Sequence, residues 1–320
     1  MNPNPLSAIY GAVVRTRNAL YDQKLFRSQR LQGSVISVGN ISTGGSGKTP
    51  FVILLGELLK ARGIPFDVLS RGYGRNTRGV LLVDPGGLPQ DFGDEPLLIA
   101  RRLQVPVVVG EDRYEAGRFA ESRFGAQLHL LDDGFQHRGL ARDFDIVLVT
   151  PEDARDRLLP AGRLREPLRS LQRADAVVLT SGASPESFPV AGKMVWRVRR
   201  GIVTQNLAQP VPARPIVFCG IARPQNFLLQ LRAAGIDPIA EAFYRDHHTY
   251  TERDIRDLLQ LRQRSEAGGF VTTEKDAVNL GGYLDSLAPL AVIPVKMELA
   301  DAANAVDTTL GVINERRGGS

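Results

Sequence analysis

An α/β fold, with a mainly parallel sheet covered by helices on both faces and a smaller α/β domain at its C-terminal side, is what this sequence predicts. Two observations carry that expectation. Short β-branched runs alternate with longer stretches of helical period, the pattern of a parallel sheet with crossover helices. A glycine-rich turn also joins the first such run directly to the first helical stretch.

The runs at 35–38, 105–109, 127–131, 145–149, 176–180, 216–219 and 290–295 read as buried strands because each is short, apolar and rich in Val, Ile or Leu. Helices are clearest at 51–62 and 251–266, where apolar residues recur at three and four, and Thr251 supplies a starting cap. Between 201 and 215 the periodic pattern stops in a Gln-, Ala- and Pro-rich segment (QNLAQPVPARP, 205–215). A hinge is expected there, dividing a first domain at 1–200 from a smaller domain at 201–320.

At 320 residues, with 43% hydrophobic and 23% charged side chains, the chain can bury a sizeable core, which excludes disorder and a short secreted scaffold. A single cysteine, Cys219, excludes an internal disulfide, and four histidines without a CxxC exclude a zinc ribbon. No run reaches the roughly 20 apolar residues of a spanning helix, and no basic-then-apolar leader opens the chain. The expected location is therefore the cytoplasmic side.

The net charge of +5 is concentrated before residue 57, where Arg15, Arg17, Lys24, Arg27, Arg30 and Lys48 face the single acid Asp22. Within 5–31, Leu6, Ile9, Tyr10, Val13, Val14, Leu20 and Tyr21 fall on one arc of a helical wheel, with Arg17 and Lys24 intruding. That segment reads either as a helix on an anionic membrane surface or as a helix docked on the sheet. Because the positive charge sits in one segment with few aromatics between, nucleic acid is not an expected partner.

The most specific local signal is Gly44, Gly45, Ser46, Gly47, Lys48 and Thr49, entered from an apolar strand and continued by a helical pattern. This is a phosphate-binding P-loop in its required context, and it makes the larger sheet P-loop NTPase-like. Glycines let backbone N–H groups turn toward phosphate oxygens, the lysine places an ammonium near them, and the threonine hydroxyl can ligate Mg²⁺. The run LHLLDD (128–133) supplies the acidic partner in Asp132 and Asp133. One can face Mg²⁺ while the other holds water or orients a neighbour.

Other clusters read less uniquely. Asp94 in GDEP (93–96) suits either an N-cap or a base for a substrate hydroxyl. Arg163, Arg165 and Glu166 suit either a phosphate clamp or an ion-pair loop. Asp246, His247 and His248 hold too few ligands for a metal and suit a proton-sharing pair or a polar loop. His137 reads equally as a site residue or a solvent-facing one.

Seven motifs in order then resemble one family across nearly the whole chain: SVGNISTGGSGKTP (37–50), SRGYGR (70–75), GDEP (93–96), LDDGFQHR (131–138), LLPAGRLREP (158–167), DHH (246–248) and TTEKDAVNL (272–280). The sequence resembles the tetraacyldisaccharide 4′-kinases, the lipid A 4′-kinases of Gram-negative bacteria. The resemblance implies a peripheral enzyme on the cytoplasmic face of the inner membrane that moves the γ-phosphate of ATP to the 4′-hydroxyl of a tetraacylated disaccharide 1-phosphate. It implies ATP and Mg²⁺ as cofactors, with the acylated disaccharide and an anionic membrane as partners and no protein partner.

By the same resemblance, Lys48 and Thr49 hold phosphates and Mg²⁺, Asp132 and Asp133 complete the metal site, and Glu166 joins it. Asp94 is the general base and His247 tunes its proton affinity. Arg165 or Arg163 supplies a cation for the transition state, and the N-terminal helix gains a task at the membrane. The alternative from another class is a nucleotide-switch ATPase or GTPase acting through protein partners. Thr43 stands where the deviant P-loop of such proteins has lysine. Tyr73, Lys275 and Asp276 belong to the motifs without an assigned task.

Overall fold

The computed structural model describes residues 5–318. The first half of the chain forms α1 (Pro5–Asp22), β1 (Ser34–Asn40), α2 (Lys48–Ala61), β2 (Asp67–Ser70), β3 (Leu81–Leu82), α3 (Pro89–Phe92), α4 (Asp94–Leu103), β4 (Val107–Val109), α5 (Arg113–Phe124), β5 (Leu128–Asp132) and β6 (Phe144–Val149). The second half forms β7 (Ala176–Leu179), β8 (Met194–Ile202), β9 (Pro215–Cys219), α6 (Pro224–Ala233), β10 (Ala240–Phe243), α7 (Glu252–Ser265), β11 (Gly269–Thr273), α8 (Glu274–Leu280), β12 (Leu290–Ile293), β13 (Val295–Leu299) and α9 (Ala302–Gly318).

β1 lies inside the larger sheet, whose order is β13-β8-β7-β6-β1-β5-β2-β4-β3. It pairs in parallel with β5 and β6, and its residues are buried on both faces, as a strand covered by helices on each side must be. Phe51, Val52, Leu55 and Leu59 of α2 share one core with Ile36 and Val38 of β1. Each such side chain stabilises the fold by roughly 1.5–3 kcal/mol when fully buried. The carboxyl ends of β1, β5, β2, β4 and β6 therefore open on one edge, where open parallel sheets place their ligands.

A second sheet, of order β10-β9-β11-β12, is wholly parallel. Its own carboxyl edge meets that of the first sheet: the position of a Cβ on Gly45 is 3.4 Å from Ala222 and Arg223 after β9, and His247 after β10 bonds Asp94. The expected fold class is observed, with two corrections to its divisions.

The run 290–295 is not one strand. Pro294 lacks an N–H and ends the ladder, so β12 stays in the small sheet while β13 pairs antiparallel with β8 in the large one. The chain after 294 thus leaves the expected C-terminal domain, and α9 buries Val306 and Ile313 in the large core. Arg316 and Arg317 of α9 pair with Asp175 and Asp143 beneath the large sheet. We propose that the smaller unit spans about 203–293, with the expected hinge at 201–215 as its entry and Pro294 as its exit. No helix among the described residues is long and apolar enough to cross a membrane.

Candidate active site

Between β1 and α2 the chain turns through Gly44, Gly45 and Gly47, with φ of 78°, 55° and 88°. A side chain is strained in that region, and glycine is not. Gly47 is the N-cap of α2, so Lys48 and Thr49 occupy its first turn, where unpaired backbone N–H groups and the helix dipole favour an anion. The loop is braced from below: Asn40 Nδ2 donates to Ser46 Oγ at 2.7 Å, and Thr43 N donates to the Arg163 carbonyl at 2.8 Å. Lys48 Nζ stands 3.6 Å from Asp133 Oδ1.

The two aspartates after β5 are differentiated by their surroundings. Arg165 grips Asp133 through both carboxylate oxygens, at 2.9 and 3.1 Å, and also reaches Asn40 Oδ1 at 2.7 Å. Burial would raise the Asp133 carboxyl, but the Lys48 and Arg165 cations outweigh it and bring its pKa down to about 2. Asp132 is pushed up to about 7, by burial first and then by the charges of Glu95 and Asp133. Ser70 Oγ donates to its Oδ2 at 3.0 Å, while Oδ1 is buried without a hydrogen-bond partner.

A third group comes from two distant segments. Gly93, with φ 90°, is the N-cap of α4. Asp94 is therefore a first-turn residue and not the cap itself, and its Oδ1 accepts from Glu95 N at 2.9 Å. His247 Nδ1 lies 3.0 and 2.9 Å from the two oxygens of Asp94, and Asn279 Nδ2 donates to Oδ2 at 3.2 Å. Burial works to raise Asp94, yet the hydrogen bond from His247 and the Lys275 ammonium prevail and its pKa is lowered. Burial likewise opposes a charged His247, but Asp94 shifts it upward on balance while Lys275 resists.

Glu166 is buried, with both oxygens on Arg173 at 3.0 and 2.9 Å and Oε2 also accepting from Asn18. These contacts tie Glu166 to Arg173 and to α1, and they do not bring it to Asp132 or Asp133, the other acids expected at the metal. Arg163 pairs with Asp156 at 2.8 Å, so of the two expected arginines it is Arg165 that turns to Asp133. His137 is driven down to about 4 by burial and by nearby arginines, Arg113 foremost, so it is neutral near pH 7. His248 pairs with Asp254 and stacks on Tyr244. Burial lifts the Cys219 thiol to about 12, which leaves it inert as a nucleophile.

Sequence reasoning gave no role to Asn40, Ser70, Glu95, Lys275 and Asn279, although all five lie in the quoted motifs, and it missed Arg113 altogether. Each is one polar residue at a strand end or in a helical turn, a signal without a partner until the fold supplies one. Arg113, in the first turn of α5, is nearly buried, and its charge acts on Asp132 and Asp133.

The N-terminal helix α1 docks one side on the protein and leaves apolar residues exposed on another. Gly11, Val14 and Asn18 are buried against the protein, and a Cβ on Gly11 would lie 2.9 Å from Leu158. Tyr10 OH donates to the Arg165 carbonyl at 3.0 Å, and Arg17, the cation intruding on the arc, turns inward to the Gln136 carbonyl. The opposite side leaves Leu6, Ile9 and Val13 each 61% exposed.

The model of the family described as tetraacyldisaccharide-1-P 4′-kinase matches residues 4–312. A Koribacter versatilis protein named tetraacyldisaccharide 4′-kinase is 52% identical over 323 residues, covering 98% of this chain and 100% of its own. An Aquifex aeolicus protein of the same name is 39% identical, over 87% of this chain and 89% of that one. A crystal structure of LpxK from Aquifex aeolicus in complex with ATP superposes with a TM-score of 0.79 at 35% identity, covering 97% of each chain.

Proposed function

This chain belongs to the tetraacyldisaccharide-1-P 4′-kinase family, and from that premise we propose how its residues carry out the phosphoryl transfer. The enzyme is an ATP-dependent kinase of lipid A biosynthesis, acting on the 4′-hydroxyl of the tetraacylated disaccharide. Gly44, Gly45, Ser46 and Gly47 cradle the phosphates through backbone N–H groups, and Lys48 neutralises the oxygens of the transferred group. Arg165, held in place by Asp133 and Asn40, stands beside them as a further cation.

The acceptor hydroxyl approaches from the edge that holds Asp94. As its oxygen bonds to the γ-phosphorus, the bond from phosphorus to the ADP oxygen breaks and the hydroxyl proton passes to Asp94. His247 shares that proton and keeps the carboxylate oriented. Such a transition state is loose, so positioning matters more than base strength, and a carboxylate with a lowered pKa is sufficient. The observation that carries this reading is the Asp94–His247 pair, formed at 2.9 Å across the meeting edges of the two sheets.

The donor set suits Mg²⁺. Asp132 presents one buried oxygen without a partner, and among the described residues no cluster of three or more His, Cys, Asp or Glu side chains forms a cage. A hard cation that keeps water and substrate phosphates as ligands needs only one or two carboxylates. Asp132, Asp133 and the Thr49 hydroxyl would hold it, and when bound it supplies charge neutralisation on the phosphate oxygens.

We place the enzyme peripherally at the cytoplasmic face of the inner membrane, through the outer side of α1. Ile9 and Val13 would enter the interface, with Arg15, Lys24 and Arg27, all exposed, facing anionic headgroups at about 1 kcal/mol each. Arg17 and Arg30 are engaged internally, with the Gln136 carbonyl and Asp143, and do not add to that sum. Replacing Ile9 and Val13 together by Asp is expected to weaken sedimentation with anionic vesicles by about 100-fold or more, from the roughly 1.5–3 kcal/mol that each apolar side chain gains on burial. Unchanged vesicle binding by this folded variant would remove α1 as the anchor.

The reaction itself is tested by incubating the protein with γ-labelled ATP, Mg²⁺ and the tetraacylated disaccharide 1-phosphate in mixed micelles. Label is expected in the lipid. Label released only as inorganic phosphate, at a rate indifferent to the lipid, would instead mark a nucleotide switch.

A further inference from the structure

Lys275 takes no part in the steps above, yet its ammonium stands among four groups of the site. It lies 3.0 Å from Asp246 Oδ1, 3.2 Å from His247 Nε2, 3.7 Å from Asp94 Oδ2 and 3.8 Å from Glu95 Oε1. Its side chain is 16% exposed, so little water competes for these contacts. An ammonium has donors only. The ring nitrogen facing it must therefore accept, which leaves Nε2 bare and places the imidazole proton on Nδ1, toward Asp94.

The next residue completes the arrangement. Asp276 is fully buried on α8 and accepts from Gly220 N at 2.6 Å, Tyr250 OH at 2.8 Å and the Thr273 hydroxyl. The Gly220 carbonyl in turn accepts from His247 N at 3.2 Å. His247 is held at φ 58°, a left-handed conformation unfavourable for a side chain with a Cβ. Asp276 thus fixes the backbone of the histidine loop, while its neighbour faces the ring.

We propose that Lys275 is a positioning residue: it fixes His247 as the tautomer protonated on Nδ1 and ties the histidine loop to α4, so that the proton-accepting pair is assembled only when the two units meet. Asp94, 2.9 Å from Nδ1, favours the same proton position, and Lys275 acts against the competing one at Nε2. Asp246 Oδ2, 3.8 Å from Nε2, would otherwise favour a proton on that nitrogen. The other groups facing the ring are Asp94 from α4 and Tyr73, whose ring centroid is 5.5 Å away. Neither supplies a cation, and that leaves Lys275 as the group that opposes protonation of Nε2.

The inference rests on the reading of Asp94 as the base, and the test separates the two. Full-length protein labelled with ¹⁵N-histidine is compared as wild type, Lys275→Met and Lys275→Arg, with His247→Gln assigning the resonance. Wild type at pH 8 is expected to show a proton on Nδ1 and none on Nε2. In Lys275→Met the ring is expected to gain Nε2 protonation at pH values where wild type has none. Its kcat falls by about 100-fold, the range of a displaced acid–base group, while KM for ATP stays within about threefold. Lys275→Arg, which keeps the charge, is expected to recover the tautomer and most of the rate.

A wild-type ring protonated on Nε2 overturns the proposal, as does a folded Lys275→Met with unchanged ring signals and kcat. If Asp94→Asn retains full kcat while Lys275→Met still alters the ring, the base reading falls and the positioning role stands.

Discussion

Lys48→Ala is expected to lower kcat/KM for phosphate transfer by about 10³-fold, close to 4 kcal/mol of transition-state stabilisation. The magnitude follows from where the ammonium sits. Lys48 is in the first turn of α2 behind a loop of glycines, and only 15% of its side chain is exposed. Charge stabilisation in such a water-poor setting far exceeds its value in solution. Alanine suits the helix better than lysine does, so folding is expected to survive the substitution. The change also leaves Asp133 opposed by Arg165 without Lys48, and its carboxyl rises from about 2. Lys48→Arg recovers little, since a planar fork does not replace a compact point charge. Single-turnover transfer beside a thermal melt decides the matter, and a folded Lys48→Ala within tenfold of wild type would refute the assignment.

Why some elements could be read from the sequence and others could not follows from how each is buried. β6, β7 and β9 are buried throughout and β1 is buried after Ser34, and each shows as a short run dominated by apolar residues. The helix expected at 251–266 runs Glu252–Ser265, with Thr251 capping it through Asp254 N. β8 was invisible to that criterion, because Arg197, Arg199 and Arg200 interrupt it and most of its residues are exposed or half-buried. β13 (VKMEL) alternates apolar and charged residues, a period of two that a search for continuous runs passes over. Its antiparallel place beside β8 is also what carries the chain back out of the smaller unit.

The site divides along a similar line. Lys48, Thr49, Asp132 and Asp133 stand in local patterns whose spacing is itself the signal. Asp94 and His247 are 153 positions apart, so nothing in the spacing joins them, and only the family resemblance did. Glu166 joined the metal set only through the family resemblance, and successive residues of an extended segment point to opposite sides. Arg165 turns to Asp133, and Glu166 turns to Arg173 and Asn18 of α1. Lys275 had no assignable role because its four partners come from segments that only the folded chain brings together.

Asp94→Asn is expected to reduce kcat by about 10²–10⁴-fold, the span of a lost proton acceptor, with KM for ATP little changed. Asparagine keeps the shape and can still accept from His247 Nδ1, so the loss isolates the proton-accepting function. The pH dependence supplies an independent check. Because His247, Lys275 and Asn279 together outweigh burial and hold Asp94 below its ordinary value, the carboxylate is ionised across the neutral range. The acid limb of kcat set by Asp94 therefore lies below the usual carboxylate value of about 3.9. His247→Ala removes a hydrogen bond that favours the charged form and leaves burial in place, so that limb must move to higher pH. The same sign holds for stability: the contribution of the ionised Asp94 is present above the unfolded pKa and is lost as pH falls through the lower folded one. An acid limb that stays put in His247→Ala would show that the two side chains do not share a proton, however close they stand.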